Sequence, residues 1–313
     1  MPPFPAVQVT DLVKRYDGVD VVDSLSLTAH AGRVTAVLGP NGAGKTTTIE
    51  CCEGLRTPDS GTVRVLGLDP RADARALRPR VGVMLQDSGL PAQARSAAVL
   101  EHVARMYSDP WPVADLSERL GLAAFATTTV RRLSGGQRQR LAMACALVGR
   151  PEVVFLDEPS AGMDPQSRHA VWSLVTGLRD AGTSVILTTH LMDEAAALAD
   201  DVVVVDHGRV IAAGTPAELT AADGDRDVVV TLDASLPDGP PDLATFLASA
   251  VGGAWSVHDL GAGRHRVAGP VTPQALAAVL RWFADQDRLV TSLDVGRRSL
   301  EEYFLDLTGR ELR

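Results

Sequence analysis

Gly39-Pro40-Asn41-Gly42-Ala43-Gly44-Lys45-Thr46-Thr47 lies between the apolar run Val34–Leu38 and a helical pattern over Thr46–Cys52. It matches G-x-x-x-x-G-K-[ST] in the strand–loop–helix setting that pattern requires. Glycines let successive backbone N–H groups curl round phosphate oxygens, and the helix N-terminus adds positive potential. Lys45 reaches the β- and γ-phosphates as a compact point charge, where an arginine would be bulkier and prefer bidentate geometry. The Thr46 hydroxyl is placed to bind Mg²⁺.

Two further stretches bear on the same chemistry. Val153-Val154-Phe155-Leu156-Asp157-Glu158 is an apolar strand ending in two carboxylates, and the carboxyl end of a buried parallel strand opens on the ligand crevice. Asp157 suits a Mg²⁺ ligand, directly or through water. Glu158 suits a general base that takes a proton from an attacking water. Leu133-Ser134-Gly135-Gly136-Gln137 precedes a helical pattern at Arg138–Val148. It offers a second set of free N–H groups and a hydroxyl to an anion.

Outward from these motifs, residues 1–220 alternate strands and helices. Val7–Leu12, Val19–Leu27, Val34–Leu38, Val81–Leu85, Val153–Leu156, Ser184–Thr188 and Val202–Asp206 read as strands, with helices at Pro165–Asp180 and Met192–Ala199. That rhythm predicts an α/β domain with buried parallel strands. Strand signals vanish over about 91–150, which predicts a helical insertion. Ala221–Asp227 turns small and acidic and reads as a linker. Residues 228–313 then read as a smaller α+β domain of β-α-β-β-α-β order, the split βαβ arrangement. Its strands are Val228–Leu232, Trp255–Val257, Arg264–Val267 and Leu289–Val295, and its helices Leu243–Val251 and Pro273–Asp285. A last helix, Ser299–Leu307, carries the stripe Leu300, Tyr303, Phe304 and Leu307, expected to pack on its own domain.

Composition narrows the class. The chain has 313 residues, 45% of them hydrophobic and 22% charged, with a formal net charge of −9. That suits two globular domains and argues against a nucleic-acid partner, which a basic excess would mark. Cys51, Cys52 and Cys145 match neither a disulfide framework nor a metal-site spacing and read as reduced core thiols of a cytosolic protein. No apolar run reaches the ~18 residues a membrane span needs, and the N-terminus lacks a signal-peptide pattern. Of the 30 basic residues only Lys14 and Lys45 are lysine. Lys14 reads as a surface strand residue.

The order of the motifs adds a resemblance. Lys45, Gln86 after Val81–Leu85, Leu133–Gln137, Asp157-Glu158, Ser160-Ala161-Gly162-Met163-Asp164 and His190 after Ser184–Thr188 together resemble the ATP-binding-cassette (ABC) family over about residues 5–220. The resemblance implies a P-loop NTPase fold with a helical subdomain, using ATP and Mg²⁺. It implies that Tyr16 stacks on adenine. Residues Gly39 to Thr47 would hold the phosphates, and Thr46, Gln86 and Asp157 would serve the Mg²⁺. Gln86 would also report occupancy to a partner. Leu133, Ser134, Gly135, Gly136 and Gln137 would form the signature that meets the γ-phosphate held by the other subunit. Asp164 would link the two sites, and His190 would hold the γ-phosphate and Glu158 in line. Lys45, Gln86, Glu158 and His190 would thus carry catalysis. Met163 replaces the usual leucine, and Arg33 stands where an acid is common.

One cassette per chain supplies half of each composite site, so the resemblance implies a homodimer with two sandwiched ATP molecules. Gly82–Pro91 and Ser299–Gly309 are similar to ATPases of the ABC-2 export class, many of which serve drug and antibiotic efflux. The expected partner is then a separate ABC-2-type permease, with the chain cytoplasmic and peripheral on the inner face of the membrane. The alternative is a soluble ABC ATPase working mechanically on ribosomes or DNA. It is weakened by a single cassette, by only 88 residues from Lys45 to Leu133 without heptads, and by net acidity. A small-molecule kinase leaves Leu133–Gln137 unexplained.

Overall fold

Strands buried on both faces need apolar side chains on both, and the middle of the larger sheet has them. In the computed structural model, which describes residues 5–85, 89–220, 226–233, 242–296 and 299–308, every residue of Val34–Leu38, Val153–Asp157 and Ser184–Thr189 is buried. The first part of the chain runs β1 (Pro5–Tyr16), β2 (Val19–His30), β3 (Val34–Leu38), α1 (Lys45–Cys52), β4 (Ser60–Val65), α2 (Ala74–Leu77) and β5 (Val81–Met84). It continues with α3 (Ser96–Ala104), α4 (Val113–Arg119), α5 (Gly135–Leu147), β6 (Val153–Asp157), α6 (Pro165–Asp180), β7 (Ser184–Thr189), α7 (Met192–Leu198), β8 (Asp201–Asp206), β9 (Arg209–Gly214) and α8 (Pro216–Thr220).

Six strands form the central sheet in the order β5-β6-β7-β3-β8-β9. All neighbours are parallel except the edge strand β9, which pairs antiparallel with β8. Leu38 pairs with Thr189 and Asp157 with Thr188. This register aligns the carboxyl ends of β3, β6 and β7 at one sheet edge, where α/β sheets bind ligands. A second, antiparallel sheet has the order β2-β1-β4. Ile49, Cys51 and Cys52 of α1 share a core with Val9, Leu12 and Leu25 of this sheet and with Val37, Phe155 and Val205 of the central one. Phe155 is fully buried there, so its truncation to alanine would cost about 3–5 kcal/mol. From Ser96 to Leu147 the elements are helices, and Leu116, Phe125 and Leu141 are buried.

Strands β4 and β9 have no counterpart in the sequence reading. Only two of six residues in β4 are buried, β9 has none, and both start or end in turn-forming residues. Strand β1 runs from Pro5 to Tyr16 because bulges absorb its polar residues.

The remaining elements are β10 (Arg226–Leu232), α9 (Leu243–Val251), β11 (Ser256–Gly261), β12 (Arg264–Gly269), α10 (Pro273–Asp285), β13 (Val290–Gly296) and α11 (Leu300–Thr308). Their antiparallel sheet has the order β11-β12-β10-β13, as the split βαβ reading predicts. Val228, Val230, Leu243, Leu247, Val267, Val279 and Phe283 form its core. The described residues fall into two compact units, one up to Pro216 and again from Phe304, the other Ala217–Tyr303. Among the described residues no helix is long and apolar enough to cross a membrane.

Candidate active site

The loop from Gly39 to Gly44 leaves β3 and turns into α1 with Gly44 as its left-handed N-cap, φ +98°. A Cβ on Gly44 would stand 2.6 Å from the Val21 carbonyl oxygen, and one on Gly39 only 2.1 Å from that of Val205. Only glycine passes at either point. The loop, residues 41–47, lines a cavity of about 210 Å³ together with Val21 and Glu158. Lys45 is buried, and its Nζ donates to the carbonyls of Gly39 at 2.7 Å and Pro40 at 3.1 Å. Burial lowers its pKa from the ordinary lysine value, while Glu158 and Asp157 oppose the loss of its proton.

Both acids stand at the end of β6. Asp157 is buried. Its Oδ1 accepts from the Thr188 hydroxyl, and its Oδ2 lies 3.4 Å from Thr46 Oγ1. Burial raises its pKa above the usual carboxylate range, the Thr188 hydrogen bond pulls the other way, and the Glu158 charge adds to the rise. Glu158 adopts φ +49°, a conformation that costs a non-glycine residue about 1–2 kcal/mol. Neighbours hold it there. Its N–H donates to the Thr188 carbonyl at 3.1 Å and lies 3.2 Å from Thr188 Oγ1. Its carbonyl accepts from Gln139 Nε2 at 3.3 Å. The carboxylate then faces the phosphate-loop cavity, with His190 Nδ1 3.1 Å from Oε1.

These residues fit the groups the motifs imply. Thr46 Oγ1 and Asp157 Oδ2 present two hard oxygens 3.4 Å apart, the donor type Mg²⁺ takes. The glycine-tight loop and buried Lys45 suit a triphosphate. Gln86 lies outside the described residues.

The other predicted positions stand apart from this cavity. Ser134 caps α5 through a capping box: Gln137 N donates to Ser134 Oγ at 3.3 Å, and Ser134 N donates to Gln137 Oε1 at 2.9 Å. Leu133 is buried beneath it. Gly135 and Gly136 open the helix, and a Cβ on Gly136 would stand 3.5 Å from Met163. Asp164 caps α6, accepting from Ser167 N at 2.9 Å and Ser167 Oγ at 2.7 Å, bonds that lower its pKa. Tyr16 ends β1, with Lys14 and Arg56 over its ring. One chain therefore gathers Lys45, Thr46, Asp157, Glu158 and His190, and leaves Tyr16, Ser134–Gln137 and Asp164 off the cavity wall.

Sequence reasoning missed four residues. Thr188 bonds both acids; a hydroxyl at a strand's carboxyl end was the available signal. Gln139 and Val21 gave none. Glu53, after Cys51-Cys52, has both carboxylate oxygens buried without a hydrogen-bond partner. Burial, then the charges of Asp157 and Glu50, push its pKa to about 8.

The profile of the family described as ABC transporter matches residues 22–161. The chain is 38% identical over 319 residues to the daunorubicin/doxorubicin resistance ATP-binding protein DrrA of Streptomyces peucetius, covering 98% of this chain and 93% of that one. It is 37% identical over 323 residues to the Nod factor export ATP-binding protein I of Ralstonia nicotianae, covering 99% and 95%. A solved ATP-binding subunit of an ABC transporter superposes with a TM-score of 0.65 at 25% identity, over 70% of this chain and 93% of that one.

Proposed function

This chain belongs to the ABC transporter family as an ATP-hydrolysing subunit, and from that premise we propose that it energises an exporter whose membrane path is a separate chain. The observation that carries the reading is Glu158. A glutamate held at φ +49° by Thr188 and Gln139, facing a phosphate-loop cavity and met by His190, is built to deprotonate water beside a γ-phosphate. The loop from Gly39 to Thr47 and Lys45 hold the phosphates. Thr46 and Asp157 would hold Mg²⁺, the family pattern implies Gln86 as a further contact, and the chemistry supplied there would be neutralisation of phosphate charge. His190 fixes the Glu158 carboxylate and reaches the γ-phosphate. Tyr16 carries the base.

Two copies complete the site. Ser134–Gln137 offers a helix N-terminus that its own chain does not turn to the cavity, and a second copy brings its own to the first copy's γ-phosphate. Asp164 links the paired sites. Likeness along nearly the whole length to a drug-resistance ATP-binding protein and to an export ATP-binding protein supports an ABC-2-type permease as partner. A drug, antibiotic or other hydrophobic compound is then the cargo, and the inner face of the cell membrane the working place. The unit Ala217–Tyr303 forms an accessory domain; the linker read at 221–227 lies largely outside the described residues, and β10 already begins at Arg226. Purification of the tagged chain from membranes should recover a multi-helix protein without a cassette that stimulates its ATPase rate. Recovery of ribosomes or DNA alone would overturn the export reading.

A further inference from the structure

The second lysine is no loose surface residue. Its side chain is only 16% exposed, and Nζ lies 3.2 Å from both oxygens of Asp59. The same Asp59 carboxylate accepts from the Arg15 N–H at 2.6 Å, and Asp59 N donates to the Val13 carbonyl at 2.8 Å. One acid thus ties the last three residues of β1 before Tyr16, where bulges have already broken the regular register. Lys14 Nζ sits 5.4 Å from the centroid of the Tyr16 ring. A second cation stands over the same ring: the Arg56 guanidinium, at 5.5 Å. Arg56 is held by an ion pair with Glu50, a residue of α1, and its N–H donates to the Glu50 carbonyl at 3.1 Å. Helix α1 begins in the phosphate loop, so the ring is braced from the element that carries Lys45.

We propose that Lys14 and Arg56 are positioning residues that hold Tyr16 as the platform for the nucleotide base; this rests on the reading of Tyr16 as that platform. Two cations draw electron density from a phenol ring and fix its tilt. An electron-poor, immobile ring stacks better on an electron-rich purine than a free one does. Asp59 sets Lys14, and Glu50 sets Arg56. The arrangement acts on the base and not on the phosphates.

That separation defines the test. Equilibrium binding of ATP and of inorganic tripolyphosphate, which has phosphates but no base, is measured on the full chain and on Lys14→Met, Arg56→Met, Tyr16→Ala and the Lys14→Met/Tyr16→Ala double variant. Each cation variant should bind ATP about threefold to tenfold more weakly and tripolyphosphate as the parent does. In the Tyr16→Ala background, Lys14→Met should change nothing further. Parallel loss of tripolyphosphate binding would overturn the proposal by making the loss a general one. Additive loss in the double variant would overturn it by freeing Lys14 from Tyr16. Tighter or unchanged ATP binding in both cation variants would overturn it too, because the cations would then be idle or occupy the face the base needs. Should Tyr16→Ala itself bind ATP normally, the platform reading fails first, and the proposal with it.

Discussion

Replacing Glu53 by glutamine should make the first unit more stable at neutral and alkaline pH, although the glutamate lies in a well-packed region. Glu53 follows α1 directly, at the negative end of the helix dipole. Its two carboxylate oxygens are buried and accept no hydrogen bond. The neighbouring Arg56 pairs with Glu50 instead. The folded chain therefore holds the Glu53 proton up to about pH 8, against an ordinary glutamate value of 4.5. The sign follows from proton linkage. Below the ordinary value both the folded and unfolded states are protonated, and the full contribution is present. As pH rises the unfolded state ionises first, and stability falls by about 1.4 kcal/mol per pH unit until the folded state ionises too. By pH 8.5 the accumulated loss is on the order of 5 kcal/mol, a large share of a domain's usual margin.

Glutamine keeps the shape and polarity but cannot ionise. Urea unfolding of parent and Glu53→Gln at several pH values from 5 to 9 reads the difference directly. The two should agree near pH 5 and diverge steadily above it, with the variant ahead by roughly 3–5 kcal/mol at pH 8.5. Parallel profiles, or a variant weaker at pH 8.5, would refute the reasoning, because Glu53 would then have a partner that its surroundings do not show.

Four other outcomes follow from the same geometry. Glu158→Gln should abolish ATP turnover and let an ATP-bound dimer accumulate, read by phosphate release and size-exclusion chromatography; retained turnover removes Glu158 as the base. Ser134→Ala in one protomer of a mixed dimer should damage the site on the other protomer's Lys45, and damage confined to its own chain counts against a shared site. Thr188→Val removes the hydroxyl that holds the Asp157 pKa down, so the acid limb of the rate–pH profile should move to higher pH; an unmoved limb frees Asp157 from that control. Burial pushes the thiols of Cys51 to about 11 and Cys145 to about 12, and Cys52 higher still, so a thiolate-directed reagent at pH 8 should label the chain only on unfolding, and stoichiometric native labelling would contradict that.

Much of this architecture was legible because parallel strands covered on both faces leave unbroken apolar runs. Val34–Leu38, Val153–Leu156 and Ser184–Thr188 announce themselves that way, and the acids and glycines at their ends locate the crevice. Edge strands give no such signal. In β4 and β9 burial is alternate or partial, so turn residues dominate their reading. The supports of the site were hidden for a different reason. Thr188 lies 30 residues from Glu158, and Gln139 lies 19 away. Their contacts come from sheet register and helix placement, which no local pattern encodes.

The two lysines show where composition stops and structure takes over. Counting singled out Lys14 and Lys45 alike against 28 arginines. Arginine's planar fork suits paired acceptors at a surface, as where Arg80 meets both oxygens of Glu152 at 2.6 and 2.9 Å. Lys45 lacks that setting, and Lys14 meets both oxygens of Asp59 with one compact ammonium rather than a fork. Lys45 is buried under its own loop between the carbonyls of Gly39 and Pro40, and Lys14 is threaded between Asp59 and the Tyr16 ring. Both sites take a slender stem with a compact charge. The motif accounts for the first because phosphates make its chemistry famous by pattern. The second has the same physical requirement without a pattern of its own, and only the packing round Tyr16 reveals it.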